Sequence, residues 1–295
     1  MPFLELTFDL GALDPDAAEQ ACFDAGALSV TFSDARDDAV LEPAPGEIRL
    51  WPATRIRALF GAEIEPNCAA GSVADALGLP AVQICATTLA DRIWELEWRE
   101  HFHAMRFGRR LWIAPSHEPV SAPGAIVVRL DPGLAFGTGT HPTTAMCLAW
   151  LDEHPAAGGR VIDYGCGSGI LALAAAKLGA RCVECFDIDP QALSATAAGA
   201  ALNGLADRVA IVEDAGKLRA GADVLIANIL SGPLCALAGA FAALVRGGGR
   251  VVLAGLLEGQ VGEVTDAYGA WFDMRRFAAR EDWVGLAGVR RAGAE

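Results

Sequence analysis

A chain of 295 residues exceeds one ordinary single-core domain and falls short of three, so two domains are expected. With 53% apolar and 20% charged residues it is not disordered, collagenous or tail-like, although 58 alanines make much of the apolar total small side chain. A formal net charge of −14 repels phosphate backbones, arguing against a chain that wraps free nucleic acid; it favours solubility and suits a basic partner.

Taken in order, Leu4, Leu6 and Phe8 alternate with Glu5, Thr7 and Asp9, the pattern of a half-buried strand. Asp14 and Pro15 then open a helix to about Ala25, with Asp14 as cap and Pro15 in the first turn. Gly26 stops it, and Ala27–Ser33 reads as a strand. Glu47–Trp51 is the next predicted strand, Val73–Leu77 a short helix and Val82–Thr87 a further strand. The order β-α-β-β-α-β resembles a small α+β ferredoxin-like unit over residues 1–90. From Asp91 the mixture of Ile93, Trp94, Leu96, Glu97, Trp98 and His101 predicts a linker helix over 91–104. The N-terminus reaches an acid at Glu5, and no stretch of 18 uncharged apolar residues appears. A cytoplasmic protein whose eight cysteines are reduced is therefore expected, with no membrane contact. Cys182 and Cys185 form a lone Cys-x-x-Cys with no second pair and no nearby histidine, too little for a zinc or redox site.

Residues 105–295 read as the second domain. Met105–Trp112 holds the densest basic spot, with Arg106, Arg109 and Arg110; it is either a solvated turn or a contact for a carboxylate or for a partner. Leu130–Thr144 follows, with three glycines, two prolines and four threonines, the composition of a mobile lid leading into a helix at Ala145–Asp152. His141 inside it invites a general-base role, but a loop histidine without a partner is more often structural. Strands are predicted at Ile126–Leu130, Arg160–Tyr164, Cys182–Phe186, Val209–Val212, Ala222–Ala227 and Arg250–Ala254, with helices such as Gly169–Leu178 and Pro190–Asn203 between them. That alternation predicts an α/β fold with a parallel sheet covered on both faces. Phe272–Ala279 and Trp283–Val289 have no helix between them and predict an antiparallel hairpin at one edge.

Chemistry gathers at the strand ends. The strand closing on Asp163 is followed by Gly165, Gly167 and Gly169, then at once by a helix. Glycines let the backbone approach a ligand, and a helix N-terminus offers free N–H groups. A dinucleotide fingerprint would need glycine at position 170, where Ile170 stands. Asp-x-Gly-x-Gly-x-Gly instead resembles the first motif of class I S-adenosylmethionine-dependent methyltransferases. An acid before the turn suits a ligand carrying a positive amino group. The next strand ends at Asp187, placed to accept two ribose hydroxyls, while Asp189 is positioned to cap the helix that Pro190 opens. Glu213 and Asp214 end the third strand, where an acid can face an adenine amino group. The fourth strand ends at Asn228-Ile229-Leu230. Methyl transfer to nitrogen needs a neutral amine, and lysine, with a pKa of about 10.4, must first lose a proton. A carbonyl such as the Asn228 side chain can then hold the amine hydrogens and aim the lone pair, so that positioning supplies most of the rate.

Together, Met105–Trp112, Leu130–Thr144, Asp163–Gly169, Asp187–Pro190 and Asn228–Leu230 resemble the bacterial methyltransferase family that modifies the eleventh protein of the large ribosomal subunit. The resemblance implies a class I, Rossmann-like fold with a mostly parallel seven-stranded sheet and an antiparallel C-terminal hairpin, preceded by a domain that binds the ribosomal protein. It implies S-adenosylmethionine as cosubstrate and methylation of lysine ε-amines and the N-terminal α-amine of that protein. Beside the resemblance, no metal is expected, the acidic charge predicts no direct nucleic-acid contact, and a recognition domain on a tether predicts a monomer. Carried onto this chain, it implies cofactor contacts at Thr144, Gly165, Asp187 and Asn228, with Asp163 and Gly167 in the same turn and Asn228 at the methyl-transfer centre. The family usually has Ala after the Asn-Ile-Leu tip, where Ser231 stands here. Competing readings are another class I N-methyltransferase acting on glutamine, a small molecule or rRNA, a nucleotide-dependent oxidoreductase, and a binding module without activity. The acidic charge disfavours the RNA version, Ile170 the oxidoreductase, and the intact Asp163, Asp187 and Asn228 set the inert module.

Overall fold

The computed structural model describes residues 3–36, 50–89, 103–131 and 139–292. The chain divides into two compact units, Met1–Glu97 and Trp98–Glu295.

In the first unit, β1 (Phe3–Asp9) buries Leu4, Leu6 and Phe8 as its alternation requires. Helix α1 (Pro15–Asp24) starts where Asp14 accepts a hydrogen bond from the Ala17 amide at 3.0 Å. Strands β2 (Ser29–Asp34) and β3 (Thr54–Phe60), helix α2 (Pro66–Leu77) and β4 (Cys85–Leu89) complete it. The sheet order is β2-β3-β1-β4 and every neighbouring pair is antiparallel, the ferredoxin-like arrangement. Apolar residues of α1 and α2, among them Ala18, Cys22, Ala70 and Val73, pack on Leu6, Ile56 and Phe60.

Three expectations need correction in this unit. The third strand is Thr54–Phe60; of the expected Glu47–Trp51, residues 47–49 lie outside the described residues and the other two are not in a strand. Arg55 and Arg57 alternate with fully buried Ile56 and Ala58, so this strand is half-buried and its outward face carries the charges. Helix α2 begins well before Val73, because Glu65 accepts from the Cys68 amide at 2.9 Å and Pro66 fits the first turn. Residues Ala81–Gln83 form a 3-10 turn, so the last strand starts at Cys85 rather than Val82. The linker helix expected over 91–104 lies, but for its last two positions, outside the described residues.

The second unit opens with β5 (Met105–Phe107), β6 (Leu111–Ala114) and β7 (Ile126–Arg129), a separate three-stranded sheet. Ile126–Leu130 therefore does not join the large parallel sheet, as expected from its apolar run. Instead it pairs in parallel with β6, and buried Asn203 donates to the Arg129 carbonyl at 2.7 Å while accepting from its amide at 2.8 Å. That side chain takes the place of a further strand. The basic turn between β5 and β6 meets a carboxylate of the chain itself: the Arg109 and Arg110 amides donate to Asp152 Oδ2 at 2.5 and 3.1 Å.

The large sheet holds β8 (Arg160–Tyr164), β9 (Cys182–Phe186), β10 (Val209–Val212), β11 (Ala222–Asn228), β12 (Val245–Leu257), β13 (Phe272–Arg280) and β14 (Trp283–Arg290). Its order is β10-β9-β8-β11-β12-β14-β13; the first five strands are parallel, and β14 is antiparallel to both neighbours. Helices α3 (Pro142–Glu153), α4 (Ile170–Lys177) and α5 (Pro190–Leu202) contribute to one core. Helices α6 (Ser231–Ala236), α7 (Ala238–Leu244) and α8 (Val261–Tyr268) contribute to a second. Covered on both faces, the central strands bury Ile162, Leu225, Ile226, Val251 and Val252 almost completely, which is why they read as unbroken apolar runs. The connections run outward in opposite directions from the β8/β11 junction, so a crevice opens beyond the carboxyl ends of these strands.

Candidate functional site

Strand β8 delivers Asp163 and Tyr164 to that crevice, and the turn to α4 follows. Gly165, Gly167 and Gly169 all have positive φ, at 80°, 53° and 78°. The Gly165 and Cys166 amides both donate to the Phe186 carbonyl, at 2.8 and 3.1 Å, tying the turn to the tip of β9. A Cβ on Gly165 would stand 2.4 Å from Ile229 Cγ2, so any larger residue would have to displace the Ile229 side chain just past the end of β11. Gly255, at φ 89°, is in the same position from the other side: its Cβ would stand 2.3 Å from the Ile229 carbonyl oxygen. Ile229 thus threads between two glycines ninety residues apart in the chain, which sets where Asn228 and Leu230 sit.

Asp187 is half-buried at the end of β9, with its carboxylate oriented by two backbone donors. Gly167 N–H donates to Oδ2 at 2.9 Å and Asp189 N–H to Oδ1 at 3.0 Å. Each oxygen keeps a second lone pair for a ligand hydroxyl. Asp189 caps α5 as expected, accepting from the Gln191 amide at 2.8 Å. Asn228 ends β11, and its Nδ2 donates to Thr144 Oγ1 at 3.2 Å, which leaves the amide oxygen as acceptor. Thr144 is 1% exposed in the first turn of α3, so it holds Asn228 from behind.

Gly165, Gly167, Asp187 and Asn228 line one cavity of about 520 Å³. Thr144 reaches it only through Asn228, and Asp163 is not in its wall. Fully buried, Asp163 accepts from the Ala172 amide of α4 at 2.9 Å, while its Oδ1 has no hydrogen-bond partner. Burial pushes its carboxyl up to about 7, and the nearby Asp187 charge adds to that rise against the Ala172 hydrogen bond. An acid facing the ligand's amino group was the expectation; the side chain instead sits one layer below, bracing the turn against the helix.

The remaining wall is apolar and includes Tyr164, Phe186, Ile188, Leu237 and Trp283. Local sequence had not marked these for a site. Ile188 carried a signal, because an apolar residue between two strand-tip acids has no core to enter, and here it is 91% exposed beside Asp187. Trp283 carried none, since only the return of the C-terminal hairpin brings it to the crevice. His141 also lines the cavity, but as the cap of α3: its Nδ1 lies 2.7 Å from Thr143 Oγ1 and its ring meets Trp283 edge-on at 5.0 Å. Of the loop expected as a lid, residues 132–138 lie outside the described residues. Glu213 lines a neighbouring hollow of about 500 Å³ together with Asp187 and Ile188, whereas Asp214 caps a 3-10 turn through the Gly216 amide at 2.9 Å. Cys182 and Cys185 lie within β9 around Glu184, which is 4% exposed and paired with Arg160 and Arg219. Among the described residues no three His, Cys, Asp or Glu side chains gather as a metal site would require.

Residues 2–291 match a protein family described as Ribosomal protein L11 methyltransferase (PrmA). The ribosomal protein L11 methyltransferase of Alkalilimnicola ehrlichii is 47% identical over 293 residues, covering 99% of this chain and 100% of that protein. That of Pseudomonas paraeruginosa is 46% identical over the same length and shares. Among solved structures, a ribosomal protein L11 methylase from Lactobacillus delbrueckii subsp. bulgaricus aligns with a TM-score of 0.59 at 32% identity, covering 65% of this chain and 100% of that one.

Proposed function

This chain belongs to the ribosomal protein L11 methyltransferase family, and from that premise we infer that it transfers methyl groups from S-adenosylmethionine to ribosomal protein L11. The acceptors in this reading are lysine ε-amines and the N-terminal α-amine. The observation that carries it is the convergence of Gly165, Asp187 and Asn228 on one cavity in a chain that matches the family over nearly its whole length.

The cavity suits the donor. About 520 Å³ lies within the range of small-molecule sites. Asp187, held by two amides, is built for a vicinal diol, and exposed Ile188 with Phe186 offers apolar surface for a planar base. The glycine at 165 keeps the turn open to backbone contact. When bound, S-adenosylmethionine supplies a methyl group on a positively charged sulfur. Asn228, with Nδ2 engaged by Thr144, presents its amide oxygen to the acceptor's hydrogens and so directs the nitrogen lone pair. Its neutrality matters, because a carboxylate there would favour the protonated, unreactive ammonium. Loss of that proton to water precedes each transfer, and positioning of the two reactants supplies most of the acceleration.

In the same reading residues 1–90 recognise the ribosomal protein, 91–104 join the units and 105–295 carry the chemistry, in a monomer acting in the cytoplasm. Among the described residues no helix is long and apolar enough to cross a membrane. The acidic net charge complements a basic substrate. The test is mass spectrometry of purified L11 after incubation with the protein and S-adenosylmethionine. Successive methyl increments on wild type, abolished by Asn228→Ala with donor affinity retained, are expected. Unmodified L11 would end the proposal, and normal turnover by the variant would remove Asn228 from the reaction.

A further inference from the structure

A second concave site lies in the larger unit and shares no lining residue with the cavity of Asn228. One wall is the later part of α3, from Met146 to Glu153, with His154 just beyond it; the other is the β13–β14 hairpin with Arg250 of β12, and the hollow measures about 380 Å³. It continues past His154 and Arg250 into a shallower one of about 250 Å³.

Its charge is opposite to that of the protein. Four arginines, Arg250, Arg275, Arg276 and Arg280, line the main hollow, against Glu153 as its one carboxylate. Arg276 is engaged by Glu258. Among the described residues Arg250, Arg275 and Arg280 have no carboxylate or hydrogen-bond partner, although all three are exposed. By contrast Arg246, in the shallower hollow, is paired with Asp223 at 2.7 Å. Three unpaired guanidinium groups on one concave surface repel one another, in a chain that has acids to spare. The floor between them is aromatic. The Arg250 guanidinium carbon lies 6.0 Å from the Trp150 ring centre, His154 stacks on Trp150 at 4.8 Å with rings 20° apart, and Phe277 lies 6.3 Å from Trp150. Trp150 is buried beneath this floor, whereas His154 and Phe277 are half-buried and line the hollow.

We propose that this arginine-lined groove binds the phosphate groups of a nucleotide, either within an RNA strand or free. Guanidinium forks match phosphate oxygens, and several together suit a ligand with repeated charge better than a single carboxylate. Planar rings beside the cations favour a ligand that also carries bases, as in single-strand recognition. The net charge of −14 disfavours wrapping a nucleic acid, but it does not determine the field inside one basic groove.

The experiment titrates the full-length protein with a fluorescent single-stranded RNA, with ATP, and with an acidic polyglutamate peptide, at low and moderate salt. Wild type is expected to bind RNA with an affinity that falls as salt rises, by a slope of about −0.7 per phosphate engaged. The triple variant Arg250→Ala, Arg275→Ala, Arg280→Ala should lose at least about tenfold of that affinity, as two or three charged hydrogen bonds predict. Its melting temperature and its methylation of free L11 should stay at wild-type values. An Arg→Lys version at the same positions keeps the charge but loses the guanidinium fork, and should bind RNA more weakly than wild type and more tightly than the alanine variant. RNA binding that ATP displaces would identify the free nucleotide as a ligand, and binding that it does not displace would identify the strand. Failure of both ligands to bind, equal binding of polyglutamate, or unchanged RNA affinity in a folded triple variant would overturn the proposal.

Discussion

Replacing Asp163 with Asn removes a charge that the fold holds without a counter-ion. The folded carboxyl titrates at about 7 rather than at the ordinary 3.8, because burial dominates and the nearby Asp187 charge adds to it. The folded protein therefore binds this proton more tightly than the unfolded chain does. The associated stability is complete below about pH 4 and is lost as pH rises to about 7, where ionisation finally costs the folded state about 4 kcal/mol, at about 1.4 kcal/mol per pH unit. Asparagine retains the oxygen that accepts from the Ala172 amide at 2.9 Å and carries no charge. Relative to wild type, Asp163→Asn should then gain stability progressively with pH, by about 2 kcal/mol between about pH 5.5 and about pH 8.5. Urea unfolding followed by tryptophan fluorescence at several pH values measures the difference, and contributions from the N-terminal unit cancel between the two proteins. Parallel stability curves for variant and wild type across that range would refute the buried, proton-binding carboxyl.

Other perturbations probe the site directly. Gly165→Ala introduces a Cβ at a φ of 80° and 2.4 Å from Ile229; strain of about 1–2 kcal/mol plus displacement of Ile229 should weaken donor binding at least about tenfold, as calorimetry would register. Asp187→Ala should weaken the donor by about 10–100-fold with little change in melting temperature, the range expected for charge-assisted hydrogen bonds, and unchanged affinity would remove the ribose assignment. Thr144→Val keeps the volume but removes the partner of Asn228; kcat should fall about threefold to tenfold with donor affinity preserved, whereas an equal loss in both would mean that Thr144 touches the donor. A chain beginning near residue 105 should still bind S-adenosylmethionine but methylate L11 poorly, and full activity on L11 would place recognition outside the N-terminal unit.

Features set by neighbours along the chain were legible. Strands at Arg160–Tyr164, Cys182–Phe186 and Val209–Val212 have the predicted limits, because each is a short, mostly apolar segment ended by an acid or glycine. Asp14 and Asp189 cap their helices through amides two or three residues ahead, a geometry that needs nothing else from the fold. The glycine turn was legible from Gly165, Gly167 and Gly169, and the choice of sulfonium donor over dinucleotide from Ile170 together with the acid before the turn. The boundaries that failed are those where pairing overrides local pattern. Charged β3 is a strand because β1 and β2 flank it, and apolar β7 leaves the main sheet because β6 and Asn203 take its backbone bonds.

Residue type and order along the chain thus determined which groups stand at the ends of the parallel strands, since a strand tip is wherever a buried run stops. Their mutual arrangement belonged to the tertiary structure alone. Asp163 turns inward because α4 offers it an amide, Ile229 is held because Gly165 and Gly255 arrive on either side of it, and Trp283 closes the wall because the final hairpin folds back along β12. Such meetings depend on the path of crossovers and on what space is left between packed side chains, and neither has any trace in a window of a dozen residues.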